Sequence, residues 1–206
     1  FETLGICDNQ ELYDKYAPMM QKYNPKWGMG DIIIKDRTGE GVINDEDRTV
    51  IGNSIPRFTF GLNLGFEYKG FDFSCFFQGV GKADGYVTME AIQPMGINGA
   101  RKEHYKESFN PQDPKPGAYF PRILSSDYNY AYMSHWVQDA SYIRLKNLQI
   151  GYSFKIKGLN QLRVYASGEN LFTATKYRTW DPETPVGARG FYPNVAVYSM
   201  GVNLNF

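Results

Sequence analysis

The stretch that decides the fold is Phe58–Tyr68, FTFGLNLGFEY. Its even positions, Phe58, Phe60, Leu62, Leu64, Phe66 and Tyr68, are apolar; its odd positions, Thr59, Gly61, Asn63, Gly65 and Glu67, are small or polar. Successive side chains of a strand point to opposite faces, so this run predicts a strand with one oily and one wet side. Lys69-Gly70 predicts a two-residue hairpin turn, since glycine is free to take positive φ. The return run from Phe71, FDFSCFFQG, places Phe71, Phe73, Cys75 and Phe77 on one face, and only Phe76 spoils the other.

The same period of two recurs downstream. In LRVYASGENLF, Leu162, Val164 and Ala166 alternate with Arg163, Tyr165 and Ser167. In the last eleven residues Tyr198, Met200, Val202, Leu204 and Phe206 share a face against Ser199, Gly201, Asn203 and Asn205. The run SYIRLKNLQIGYSF is less regular: Leu148, Ile150, Tyr152 and Phe154 agree, while Ile143 and Leu145 fall on the other parity. Either a bulge near Lys146-Asn147 restores the register, or Arg144 and Lys146 face outward near lipid headgroups.

Composition fits strands. Sixteen Tyr, fourteen Phe and three Trp, with 21 Gly, favour pleated sheet and tight turns. The 22 basic and 22 acidic residues cancel, so nothing marks a nucleic-acid partner. No run of about 18 apolar residues is present, which excludes a transmembrane helix. A mean hydropathy of -0.47 does not exclude a barrel, whose strands are apolar only at every second residue. The chain begins at Phe1, so any targeting signal is expected upstream. Cys7 and Cys75 form no metal or redox motif.

Two architectures give such strands, a β-sandwich and an outer-membrane barrel. Short and long connections alternate here, as they must when one barrel rim carries turns and the other carries loops. The fold class expected is therefore all-β, an antiparallel transmembrane β-barrel segment with long extracellular loops. Its expected parts are an extracellular region over 1–57, a hairpin over 58–81, a long extracellular loop over 82–140, a hairpin over 141–172, a further loop over 173–195 and a terminal strand over 196–206. Five strands cannot close a barrel, whose smallest form has about eight, so the chain is expected to be part of a larger protein. The membrane-facing residues expected are Phe58, Phe60, Leu62, Leu64, Phe66, Leu162, Val164, Met200, Val202, Leu204 and Phe206. The competing reading is a secreted, calcium-stabilised β-sandwich that binds carbohydrate.

Several stretches resemble one family. GDIIIKDRTGEGVINDEDRTVIGNSIPRFTFGLNLGFEYKGFDFSCFFQG (Gly30–Gly79), VQDASYIRLKNLQIGYSF, LRVYASGENLFTATKYRTWDPE and the closing YSMGVNLNF are similar to the C-terminal part of SusC-like TonB-dependent transporters. A final Phe after alternating apolar residues also looks like the signal read by barrel-assembly machinery. The resemblance implies the last strands of a 22-stranded barrel plugged by an N-terminal domain that is absent from this chain. It implies a bacterial outer-membrane location, energy delivered through TonB, and a SusD-like surface lipoprotein as lid. The implied cargo is an oligosaccharide or a peptide, and the implied activity is transport rather than catalysis.

One loop has metal-ligand spacing. DRTGEGVINDED (36–47) sets Asp36, Thr38, Glu40, the Val42 carbonyl, Asn44 and Asp47 at the positions of an EF-hand-like calcium loop, with Gly41 at its sharp turn. Calcium is the one metal so indicated; no other cofactor is. The loops 82–140 and 173–195 carry Tyr86, Tyr105, Tyr119, Tyr128, Tyr130, Tyr132, Trp136, Trp180 and Tyr192, suited first to contact with a lid protein and second to stacking on cargo. Glu67, Asp72, Arg163 and Glu169 fall on polar strand faces and are expected to line the lumen or meet the plug. His104 and His135 have no nucleophile context, so no catalytic residue is expected.

Overall fold

The computed structural model describes residues 1–87, 89–94, 99–114, 116–123, 128–184 and 192–206. Parts of the expected loops 82–140 and 173–195 therefore lie outside the described residues. The strands are β1 (Thr3–Ile6), β2 (Ile32–Ile34), β3 (Phe58–Tyr68), β4 (Phe71–Gly81), β5 (Asp84–Tyr86), β6 (Val137–Asp139), β7 (Tyr142–Phe154), β8 (Gln161–Thr175) and β9 (Val197–Asn205). The helices are α1 (Gln10–Tyr23), α2 (Met89–Ile92) and α3 (Lys102–Glu107). None is long and apolar enough to cross a membrane. The chain divides into two compact units, one built mainly from Phe1–Asn53 and Tyr86–Gln138, the other from Ser54–Gly85 and most of the chain beyond Asp139.

The second unit is a five-stranded antiparallel sheet in the order β3-β4-β7-β8-β9. Lys69 (φ 48) and Gly70 (φ 87) both take left-handed conformations between β3 and β4. Two positive φ values give a turn whose twist matches that of the strands, so the hairpin closes in register from Phe58↔Gly81 to Tyr68↔Phe71. On β7 the pairing steps from Phe76↔Asn147 to Phe77↔Leu145, which leaves Lys146 as an extra, bulged residue. The bulge carries Ile143 and Leu145 onto the face shared by Leu148, Ile150, Tyr152 and Phe154. Arg144 and Lys146 do not face outward: they turn to Asp181 and Glu183, in the segment after β8.

Close approach sets two glycines. A Cβ at Gly201 would enter the ring of Tyr165 on the neighbouring strand, and one at Gly79 would enter the ring of Phe60. Each ring lies across its cross-strand partner, a contact that removes the packing gap a glycine leaves.

The sequence reads 1–57 and 82–140 as loops. The structure instead builds a unit with its own core. Helix α1 is capped by Asn9, whose Oδ1 accepts the Leu12 N–H at 2.9 Å, and it buries Ala17 and Met20. Strand β2 is buried on all three residues and pairs with β1. Trp27, Met133 and Trp136 complete the core. Asp31 is 1% exposed and fully partnered: Arg122 Nε donates to it at 2.8 Å, Asn129 Nδ2 at 2.9 Å and the Gly28 N–H at 2.8 Å. Asn129 in turn accepts the Ile32 N–H at 3.0 Å. A buried charge is tolerable only when satisfied in this way, and here it ties Gly28, Asp31 and Ile32 to Arg122 and Asn129. These contacts span about ninety residues of sequence, which is why no local period announces them.

Candidate functional site: a two-faced sheet

The feature that can act is the sheet itself. One face carries Phe60, Leu62, Leu64 and Phe66 of β3, Phe73 and Cys75 of β4, Leu148 and Ile150 of β7, Leu162 and Val164 of β8, and Met200, Val202 and Leu204 of β9. The register aligns them strand to strand: Leu64↔Cys75↔Leu148, and Val164↔Val202. On β3 and β9 they are open to their surroundings, with Leu64 49% exposed, Val202 60% and Met200 91%. Of the remaining membrane-facing candidates, Phe58, Phe60, Leu62, Phe66, Val164 and Leu204 on the strands and Phe206 just past β9 are exposed, whereas Leu162 is half-buried. A sandwich would bury this face under a second sheet, whereas on β3 and β9 it is open; on β4 Phe73 is half-buried and Cys75 is buried. Contiguous apolar surface of this extent marks a lipid or protein contact.

The opposite face is polar and internally paired. Arg163 on β8 reaches across β7 to Asp72 on β4, Nε to Oδ1 at 2.9 Å, as a two-pronged ion pair. Gln149 on the intervening strand accepts from the same guanidinium at 3.3 Å. Glu67, Ser74, Ser153 and Gln161 line the same open hollow, about 990 Å³ in volume. Glu169 pairs in register with Asn147 further along this face.

Toward the other end of the sheet lies a denser cluster that the sequence did not announce. Arg144 is 2% exposed and donates to Thr173 Oγ1 at 2.7 Å and to both Asp181 oxygens at 2.8 Å. Its Nη1 lies 3.1 Å from Glu183 without hydrogen-bond geometry, so that contact is ionic only. Lys146 and Tyr142 also bind Glu183, at 2.7 Å and 3.0 Å. The only hint in sequence is the parity fault at Ile143 and Leu145, which without a bulge turns Arg144 and Lys146 onto the apolar face.

The loop 36–47 is held by its own backbone. Asp36 accepts the N–H of Gly39 at 2.6 Å and of Gly41 at 2.8 Å; Asp47 accepts those of Arg37 at 2.7 Å and Asn44 at 3.0 Å. Thr38 Oγ1 donates to Asp36 at 3.2 Å. The N–H of Gly41, with Gly39 and the Thr38 hydroxyl behind it, holds the Asp36 carboxyl below the usual range. Burial acts to raise Asp47, but the N–H groups of Asn44, Arg37 and Thr38 outweigh it and lower this carboxyl too. The calcium spacing thus brings Asp36, Thr38 and Asp47 together, while Glu40 pairs weakly with Asn44 at 3.4 Å on the exposed side. Among the described residues no three Asp, Glu, His or Cys side chains are placed to hold a metal ion.

Of the aromatic candidates, Tyr130 and Trp136 belong to the core of the first unit, Tyr119 packs against Trp136, and Tyr128 donates to the Ile32 carbonyl at 2.9 Å. Trp180 is half-buried. Tyr105, Tyr132 and Tyr192 are well exposed, and Tyr132 stacks on Tyr86 at 5.2 Å. The two histidines are packing groups: His104 Nδ1 accepts the Arg101 N–H, and His135 lies between Tyr119 and Trp136. Burial lowers the pKa of both imidazoles. Cys7 and Cys75 are free thiols.

An antiparallel sheet with one apolar face and one ion-paired polar face has the build of a transmembrane β-protein. Comparison with known proteins gives the particular family. No family model matches the chain. It is 34% identical to TonB-dependent receptor P3 of Formosa agariphila over 230 residues, covering all of this chain and 22% of the relative. It is 33% identical to TonB-dependent receptor P39 of the same organism, and 27% identical over 208 residues to TonB-dependent receptor SusC of Bacteroides thetaiotaomicron. The chain belongs with the SusC-like TonB-dependent receptors, and spans about a fifth of the length of the relatives it matches. Among solved structures it superposes on the RagAB peptide importer in its open-open state with a TM-score of 0.70 at 21% identity, over all of this chain and 22% of that one. In the closed-closed state the TM-score is 0.65 at 24% identity, over 83% of this chain and 20% of that one. At these identities the likeness shows a common fold.

Proposed function

We propose that this chain supplies the last five strands and outward loops of a plugged outer-membrane barrel, with 22 strands in the whole protein. The barrel imports oligosaccharides or peptides, draws energy from TonB through parts outside this chain, and works with a SusD-like lipoprotein as lid. The single observation that carries this reading is the apolar face that runs through all five strands and stands open on β3 and β9, backed by a polar face that fits a lumen or plug. Strands β3 and β9 are sheet edges whose unpaired backbone groups have no place in a bilayer, so the reading requires further strands of the same protein to pair with them.

The oligosaccharide and peptide classes come from the resemblance to the family, and RagAB is a peptide importer. The exposed Tyr105, Tyr132 and Tyr192 suit contact with a lid or cargo. The test is the intact mass of the protein carrying this sequence, extracted in detergent from native outer membranes. A species several times the 23.5 kDa of this chain, co-purifying with a lipoprotein, is expected. A detergent-free soluble protein of about that small mass would overturn the reading.

A further inference from the structure

Two connections lie side by side at one end of the five-stranded sheet, the β3–β4 turn and the β7–β8 link over 155–160. The Ser153 N–H donates to the Gly70 carbonyl at 2.7 Å, which continues the ladder one step past Phe71↔Tyr152. On these connections sit Lys69, Lys155 and Lys157, all exposed. Neither connection contains an Asp or Glu. The nearest strand carboxylates, Glu67 and Asp72, alternate onto the polar face, and Asp72 is already claimed by Arg163. Among the described residues none of the three lysines enters an ion pair.

Just inside this basic edge, on the apolar face, stand Phe66, Tyr68, Tyr152 and Phe154, each exposed. Lys69 Nζ lies 5.1 Å from the centre of the Tyr68 ring. The other end of the sheet differs. There the connecting segments carry carboxylates, Asp84 and Asp139, as well as the cations Arg57, Lys82 and Lys176. Three exposed ammonium groups on adjoining connections, none in an ion pair among the described residues, together attract a phosphodiester placed at that edge. Aromatic rings of this kind settle at the headgroup level of a bilayer, where lysine stems extend along apolar surface to reach phosphate.

We propose that the turns at 69–70 and 155–160 form a docking surface for the phosphates of anionic phospholipids in the leaflet at that end of the sheet. The inference rests on the membrane reading above and adds a lipid preference to it. The test uses the full-length protein in bilayer discs of phosphatidylethanolamine mixed with phosphatidylglycerol, with retained lipids counted by native mass spectrometry. Phosphatidylglycerol is expected to be enriched around the wild type. The enrichment falls by about fivefold for each of Lys69→Gln, Lys155→Gln and Lys157→Gln, following the usual worth of a lysine near an anionic surface. High salt should erase it in the unaltered protein, a check that needs no variant. No enrichment in the wild type, equal enrichment in the triple variant, or indifference to salt would overturn the proposal. A protein that enters neither lipid would overturn the membrane reading itself, which keeps the two failures apart.

Discussion

Leu64 and Asn63 are adjacent in sequence, lie at almost the same depth along β3 and point to opposite faces. Eleven residues at about 3.4 Å each, tilted by about 40°, rise roughly 28 Å, close to the apolar band a barrel presents. Both residues therefore sit near mid-membrane if the sheet spans one. An arginine at the lipid face there costs about 2–4 kcal/mol, whereas a lumen-facing arginine can stay hydrated. Leu64 is 49% exposed and its cross-strand partner is Cys75, so no large neighbour offers the guanidinium a polar contact. Leu64→Arg should accordingly destabilise the full-length protein by about 2–4 kcal/mol, and Asn63→Arg by under about 1 kcal/mol. The assay is reversible denaturant unfolding in lipid vesicles, read by tryptophan fluorescence. Equal losses for the two variants would refute the face assignment. A larger loss for Asn63→Arg would reverse it.

Arg144→Met leaves Asp181 without its cation, while Glu183 keeps Lys146, and breaking a buried pair of this kind costs about 3–5 kcal/mol. Faster hydrogen exchange over residues 176–184, with β3 and β4 unchanged, is the expected signature. Gly201→Ala drives a methyl into the Tyr165 ring and should cost about 1–3 kcal/mol in the same unfolding assay; the second change Tyr165→Ala should recover part of it. Asp36 and Asp47 have carboxyls lowered in the folded loop, so their contribution is full above the ordinary carboxyl pKa and is lost as pH falls through the lowered folded values. Amide exchange at Gly41 and Asn44, corrected for its intrinsic pH dependence, should therefore rise only in acid, and in Asp47→Asn, which lacks that carboxylate at every pH, exchange at Asn44 should already be faster at neutral pH. Calcium is proposed for this loop by spacing alone. Titration of the same protein with Ca2+ decides it: protection of Gly41 that Asp47→Asn abolishes supports the metal, and none sinks it. Cys7 is buried and its thiol is pushed up to about 11, so maleimide labelling at neutral pH should be very slow until the first unit unfolds.

What the sequence reveals and what it hides divide along a physical line. Strand β3 was legible because its information is local. A period of two, a turn whose two residues take positive φ, and a second alternating run fix the face of every residue without reference to the rest of the chain. The parity fault at Ile143–Leu145 was legible for the same reason, and Lys146 is the single residue left out to mend it. The partners of Arg144 are not legible in this way. Asp181 and Glu183 lie 37 and 39 positions away on a segment with no period at all.

Helix α1 and the buried pairing of Asp31 with Arg122 were hidden more completely. Gln10–Tyr23 has Pro18 within it and buries only Ala17 and Met20, so its apolar stripe is too thin to register as a helix. Asp31 and Arg122 look like ordinary surface charges until the fold brings them within 2.8 Å. The same contrast bears on function. A lipid-facing sheet has one requirement repeated at every second residue, so its purpose is written locally. A surface that must select a cargo or a lid is assembled from distant segments, as Tyr86 and Tyr132 are when they stack 46 residues apart. The two-faced sheet is therefore the level at which this chain's residues speak, and under the proposed import role the identity of any solute belongs to surfaces made by the whole protein.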